Sequence, residues 1–451
     1  MPISCRRLWR TALLTPFVLI LGLSSAWPQP ASRPIAPGEV IDIGVVRPIV
    51  RTREIIAIPD FDPKGSSAFK DSALLTSIIY NDLELSGYFK RPEHQKFVEQ
   101  NHTADSRSGK IDFAEWARLP AAFLLEGTYG LSEDQLEVEC LLYDVASGKR
   151  IFGRAFSDYT LAEHRTLAHR ISDLVVKYIT HEEGIANTKI LFVSSRTGHK
   201  EIFIMDADGY NQHPLTAERS LTATPCWGAN ATEAYYTTYR DYNPDLCGVY
   251  INGGKPWFIS RRPGFNISPA WSEKAQRMVL TLGKDGNSEI YLMDRNGQQL
   301  KRLTYNRAID SSPCWSPQGN QIVFTSDRSG QPQLYIMDAE GLNTRRLTYK
   351  GTYNDSAAWS PKGDKIAFAA RYLGVFNIYL IDLETSDWIQ LTQNQGNNED
   401  PSWAPDGQHL VFASDRTGTA EIYVMCIDGS GQTCLTSMGM NHSPAWSPAI
   451  P

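Results

Sequence analysis

Beyond its first residues this chain has no apolar run long enough to cross a membrane, no close-spaced cysteine pair and no excess of positive charge. Each absence removes a class of function. The one apolar stretch, Thr11 to Leu23, follows Arg6, Arg7 and Arg10 and precedes Ser24-Ser25-Ala26. It is too short for a spanning helix and is expected to be an export signal over residues 1–26, with an uncleaved anchor as the alternative. Cys5 precedes the apolar run, so it is not placed to carry the lipid of a lipoprotein. Without residues 1–26 the chain carries 41 Lys and Arg against 50 Asp and Glu. That balance argues against nucleic acid and anionic lipid as main partners. C-x-x-C and spaced His clusters are missing, which argues against zinc. G-x-S-x-G is missing, and DADGYN lacks the acidic spacing of a calcium loop. No catalytic residue, cofactor or metal is therefore expected.

Six cysteines remain after the signal. Cys226 and Cys314 each stand just before a tryptophan and read as small buried residues. Cys426 and Cys434 flank the turn IDGSGQT, where a hairpin would bring them near each other; spacing alone leaves a disulfide open.

What is abundant is periodicity. Trp227, Trp271, Trp315, Trp359, Trp403 and Trp446 are 44, 44, 44, 44 and 43 residues apart. Between them recur blocks such as IVFTSDRSGQPQLYIMDAEG from Ile322, each closing near a Leu-Thr pair. Each repeat reads as four short strands: PAWS, then IVFTS, QLYIMD and RRLT, with Gly, Pro, Asn and Asp at the joints. A four-stranded repeat of this size is a propeller blade, and a ring of blades buries what one blade leaves open. An open solenoid is the alternative. Second strands are expected to begin near Lys189, Glu233, Arg277, Gln321, Lys365 and His409. The first of them has no PAWS strand before it, whereas the C-terminal SPAWSPAIP has nothing after it. Pro444 to Ser447 should therefore close a six-bladed ring as the innermost strand of the first blade.

Before the repeats the pattern changes. Residues 27–38 form a Pro-rich arm, and residues 39–183 mix strands and helices as a small α/β domain, with the propeller at 184–451. EIIAIPDF, FLLEGTYG and QLEVECLLYDV read as strands; SALLTSIIYNDLELSG and LAEHRTLAHRISDLVVKYITHEEG read as helices. Thr160 and Glu163 form a capping box for the second helix.

The signal, the α/β domain with EIIAIPDF and DLELSGYF, the DGYNQ junction, the SPxWSPxG blades and the closing PAWSP together resemble the TolB family of the bacterial Tol–Pal envelope system. The resemblance covers nearly the whole chain after the signal. Departures are a longer Pro-rich arm and an eroded second repeat. It implies a periplasmic binding protein, not an enzyme, whose propeller holds the lipoprotein Pal and whose mature N-terminus engages TolA, in support of outer-membrane integrity and cell division. Other outer-membrane proteins are further candidate partners.

In an alternating blade, the fourth-to-first and second-to-third loops share one face. That face is expected to gather Phe265, Asn266, Ser268, Asp310, Ser311, Asn354, Asp355, Glu399, Asp400, Asn441 and His442. Of these, Phe265, Asn266, Ser268, Asp310, Ser311, Asp355, Asp400 and His442 are the candidate Pal-binding residues; ordinary solvated turns are the alternative. Arg196, Arg240, Lys284, Arg328, Arg371 and Arg416 recur in the second-to-third loops. They form either a basic ring or local pairs with residues such as Asp327 and Asp415. Within EVIDIGVVRPI, the candidate TolA-binding residues are Glu39, Val40, Ile41, Asp42, Ile43, Val45 and Val46. This segment would add as a strand to an exposed edge, or else form the first strand of the α/β sheet. An exported propeller binding a small molecule or glycan, or a polysaccharide lyase, is the competing reading.

Overall fold

The structure, a computed structural model, describes residues 45–46, 52–63, 72–93, 111–132, 134–393 and 395–450. The expected signal, the Pro-rich arm and Glu39, Val40, Ile41, Asp42 and Ile43 lie outside these residues. Residues 44–451 cluster as one compact unit.

The α/β part is built on a sheet ordered Phe89–Lys90, Glu54–Ala57, Phe123–Ser132, Gln135–Asp144, Lys149–Thr160, with Asp62–Pro63 also paired to Phe123–Ser132. The three long strands form an antiparallel meander, whose last member, KRIFGRAFSDYT, was not anticipated. Helix Ser72–Leu85 buries Leu75, Ile78, Ile79 and Leu83 against Leu167, Ile171 and Val175 of helix His164–Thr180. Recurrence at three- and four-residue steps puts those side chains on one helical stripe. The Thr160–Glu163 capping box is present, but it opens a single 3-10 turn, Leu161–Glu163, and the α-helix begins only at His164.

The remainder is a six-bladed propeller. Second strands start at Lys189, Glu233, Arg277, Gln321, Lys365 and His409. Blade 1 takes its innermost strand, Asn441–Trp446, from the C-terminus, antiparallel to Lys189–Ser194. Blades 2 to 6 then follow in chain order, with innermost strands Thr222–Trp227, Asn266–Ser272, Asp310–Trp315, Tyr353–Trp359 and Asn398–Trp403. These strands start several residues earlier than the PAWS motif suggests, so residues expected in fourth-to-first loops belong to strands. The cause is a bulge in each, as between Ser311 and Cys314, which lets pairing continue past the proline.

Apolar cores lie between neighbouring blades. Ile190, Phe192 and Met205 of blade 1, for example, pack with Val411, Ile422 and Val424 of blade 6. Trp227 and Trp403 donate their indole N–H to a carbonyl of the preceding blade's innermost strand, Ala445 and Ala358, both at 2.9 Å. The α/β part docks on the end of the propeller that carries the first-to-second and third-to-fourth turns. There Arg165 meets Asp206 and Asp208, Lys362 meets Glu182, and Leu85 packs on the core between blades 1 and 6. The face with the candidate partner residues is the opposite one. Val45–Val46 pairs in parallel with the outermost strand of blade 5, Trp388–Gln390, and so adds a fifth strand to that blade.

Candidate functional site

Six residues, Thr224, Ser268, Ser312, Ser356, Asp400 and Ser443, each stand three positions before a repeat tryptophan and line the central channel. All six have left-handed backbone, with φ between 46° and 54°. An L-residue enters this region only where surrounding structure fixes it. Here the fixing element is the bulge, which turns one polar side chain per blade into the channel. With the prolines and the alanine that follow them, the six enclose about 170 Å³.

The ring is chemically uneven. Asp400 accepts hydrogen bonds from Ser356 Oγ and Ser443 Oγ, both at 3.0 Å, and so ties blade 6 to blades 5 and 1. Asp355 accepts from Thr325 Oγ1 at 2.6 Å. Burial, reinforced by Asp400, Asp415 and Asp355, pushes the Glu399 carboxyl up to about 7. Burial, and secondarily Asp355, also raises Asp400, against the pull of its two serine hydrogen bonds. His442 is held neutral, its pKa pushed down to about 3 by burial and by Lys200. Blades 5 and 6 thus carry an acidic arc, while Thr224, Ser268 and Ser312 on the other side are neutral.

The candidate residues divide by exposure. Phe265, Ser268, Ser311, Asp355, Asp400 and His442 are half-buried. Asn266 and Asp310 are fully buried. Asn266 Nδ2 donates to the carbonyls of Pro244, Arg262 and Gly264, and its Oδ1 accepts from Ser260. Asp310 accepts from Arg328 at 2.9 Å and from Asn306 at 2.7 Å. These two hold the loops that a partner would meet and do not present their own side chains. Sequence reasoning missed Thr224, Ser312, Ser356 and Ser443; their signal was the tryptophan period shifted by three.

The basic repeat forms no open ring: Lys284 makes a local pair with Asp285 at 2.7 Å, but Arg328 and Arg416 do not pair with the aspartates before them. Asp327 accepts from the Ile309 amide at 2.8 Å and Asp415 from the Asn397 amide at 2.6 Å. Arg328 instead reaches Asp310, and Arg416 reaches Asn398 Oδ1 at 2.8 Å. Each cation also lies over an aromatic ring: Arg196 on Phe203, Arg240 on Phe258, Lys284 on Tyr291, Arg328 on Tyr335, Arg371 on Phe376 and Arg416 on Tyr423. Such stacking fixes a long side chain as part of the loop.

Cys426 and Cys434 are free, as are Cys226 and Cys314, which are half-buried. The strand register sets Cys426 opposite His409 and Cys434 opposite Tyr423, so the two thiols are offset along the hairpin and do not face each other. Among the described residues one buried group, Asp82, His169 and Asp208, brings metal-type donors together. Arg165 already occupies Asp208, and His169 Nδ1 lies 2.8 Å from Asp82, so the protein supplies its own countercharges.

Comparison with known proteins agrees with this architecture. The TolB beta propeller domain matches residues 176–376 and 354–450, and the TolB amino-terminal domain matches residues 41–151. A Tol-Pal system protein TolB from Syntrophotalea carbinolica is 38% identical over 162 residues, 36% of this chain and 37% of that protein. The protein of the same name from Desulfosudis oleivorans is 34% identical over 219 residues, 47% of this chain and 49% of its own. The chain thus spans half or less of the length of these two relatives. The crystal structure of TolB from Acinetobacter baumannii superposes with a TM-score of 0.77 at 25% identity, covering 89% of this chain and 98% of the other. A six-bladed propeller closed by its C-terminal strand, an α/β domain before it, and matches to both domain families over most of the sequence place this chain in the TolB family.

Proposed function

We propose that this chain is a periplasmic scaffold of the Tol–Pal system, with a Pal lipoprotein held at the channel mouth and TolA engaged by the segment Glu39 to Val46. The observation that carries this reading is the pairing of Val45 with Trp388 and Val46 with Ile389. Among the described residues the attachment is a two-residue parallel ladder on an outer blade edge, a small contact. A segment bound in this way is released at little cost and is free to add to another protein's sheet edge. Docked and released states then form an equilibrium that a partner on the propeller can bias. At the mouth, the acidic arc of Asp355, Glu399 and Asp400 favours basic groups on the partner, and Phe265 offers an apolar anchor at the rim.

A small molecule or glycan in the channel, or lyase chemistry, is less well supported. The ring encloses about 170 Å³, against roughly 300–1,000 Å³ for ordinary ligand pockets. The test is removal of residues 27–49 from the mature protein. TolA binding should be lost while Pal binding and the propeller's melting transition persist; retained TolA binding would reject the assignment of the segment.

A further inference from the structure

Cys426 ends the third strand of blade 6, directly opposite His409. His409 is 1% exposed, and its Nδ1 lies 2.6 Å from Asp406 Oδ2. Asp406 Oδ1 is itself fixed by the amides of Gln408, at 2.8 Å, and His409, at 3.3 Å. With Asp406 on Nδ1, the ring's second nitrogen is buried without a hydrogen-bond partner, and the strand register puts it beside Cys426. Gly87 of the α/β part closes over both groups. A Cβ added there would stand 2.6 Å from the sulfur and 3.6 Å from His409 Nε2. Further polar neighbours among the described residues are Asp428 and Ser430 in the hairpin turn, and Arg53, whose guanidinium approaches Gly431.

Asp406, His409 and Cys426 thus stand in the order of an Asp–His–Cys relay, the kind of arrangement that favours a thiol's reactive thiolate. Burial alone would lower the His409 pKa, but Asp406 raises it to about 10 with help from Cys426. Burial alone would raise the Cys426 thiol, but His409 reverses the effect and holds it below the ordinary thiol range. The other cysteines differ. Cys434 is exposed with its thiol on the Thr436 carbonyl at 3.0 Å, and burial pushes Cys140 and Cys247 up to about 12.

We propose that Cys426 is a thiol-modification site at the junction of the two domains, taking a small activated disulfide or thiosulfonate and, once modified, displacing Gly87 from blade 6. In the step, the Cys426 thiolate attacks the sulfenyl sulfur, a new S–S bond forms, the reagent's S–S bond breaks, and the leaving thiolate or sulfinate departs with the electron pair. No further oxidant is needed. The adduct's first atom must occupy space that Gly87 already crowds.

The probe is methyl methanethiosulfonate, used below stoichiometry on the native full-length mature protein, with adducts located by peptide mass mapping. Cys426 should react about ten-fold or more faster than Cys434 at pH 6. Its rate should rise less steeply between pH 6 and 8 than that of a small free thiol run in parallel, which follows its own thiolate fraction. Asp406→Asn should slow Cys426 and restore a steep pH profile. Label confined to Cys434, with Cys426 untouched until denaturant is added, would overturn the site. Hydrogen exchange at the Gly87, Tyr88 and Phe89 amides should quicken in the adduct of the unsubstituted protein; unchanged exchange there would overturn the displacement.

Discussion

Trp446→Ala tests ring closure with the least disturbance. Trp446 is 5% exposed and pairs with Ile190 across the junction between the two chain ends of the propeller. Its indole N–H donates to Thr188 Oγ1 at 2.8 Å, and its amide donates to Ser402 Oγ of blade 6 at 3.0 Å. Only the side-chain contacts are removed by the substitution. Truncating a buried tryptophan costs about 3–5 kcal/mol through lost transfer energy and the cavity left behind. Thr188 still donates to the Ile185 carbonyl, so losing the indole adds only about 0.5–1.5 kcal/mol. At roughly 2–4 °C per kcal/mol for a domain of about 250 residues, the melting temperature should fall by about 7–26 °C. Trp271→Ala is the control. Trp271 is half-buried, and its indole donates to Glu273 within the same blade, so the drop should be clearly smaller. Thermal unfolding followed by circular dichroism decides the matter. A Trp446→Ala protein melting within about 2 °C of the parent would refute closure as a major source of stability. Deleting residues 443–451 should go further, exposing the Leu191 and Ile190 edge to rapid amide exchange.

Four other outcomes are expected. Glu399→Gln should stabilise the protein at pH 8 but not at pH 4. A carboxyl whose folded pKa lies near 7 contributes stability below its unfolded value, about 4.3, and loses it as pH rises through 7; equal melting shifts at both pH values would contradict this. Arg328→Ala should cost about 3–5 kcal/mol in denaturant titration, because it strands the fully buried Asp310, whereas Lys301→Ala, whose partner Glu340 is exposed, should cost under about 1 kcal/mol. Gly87→Ala should destabilise the protein by roughly 1–3 kcal/mol, since φ is 72° and the new Cβ would meet the Cys426 sulfur; a neutral effect in thermal melts would show that the junction yields easily. Phe265→Glu and Ser311→Arg should each weaken binding to a Pal-type lipoprotein by ten-fold or more without changing the melting temperature, and unaltered titrations for both would move the interface elsewhere.

The repeat count, the start of every second strand and the strand that closes the ring were legible in the sequence. They follow from covalent periodicity: one tryptophan and one apolar block per blade, with a spare first strand at the far end of the chain. The helix Ser72–Leu85 and the capping box at Thr160 were legible for the same reason, because each rests on residues a few positions apart. What faces the channel was not legible. A bulge adds one residue to a strand and reassigns every side chain beyond it, so Ser312 turns inward while Asp310, two positions earlier, is buried under Arg328. The Arg series read as either a charged ring or local pairs, because its stacking partners lie in other strands of each blade. Likewise the Asp406–His409–Cys426 relay, its cover by Gly87 and the seat of Val45–Val46 on blade 5 join residues that only the tertiary structure makes neighbours. Spacing along a chain fixes what repeats. Which polar groups meet across strands and domains is decided by how the blades close on one another and on the α/β domain.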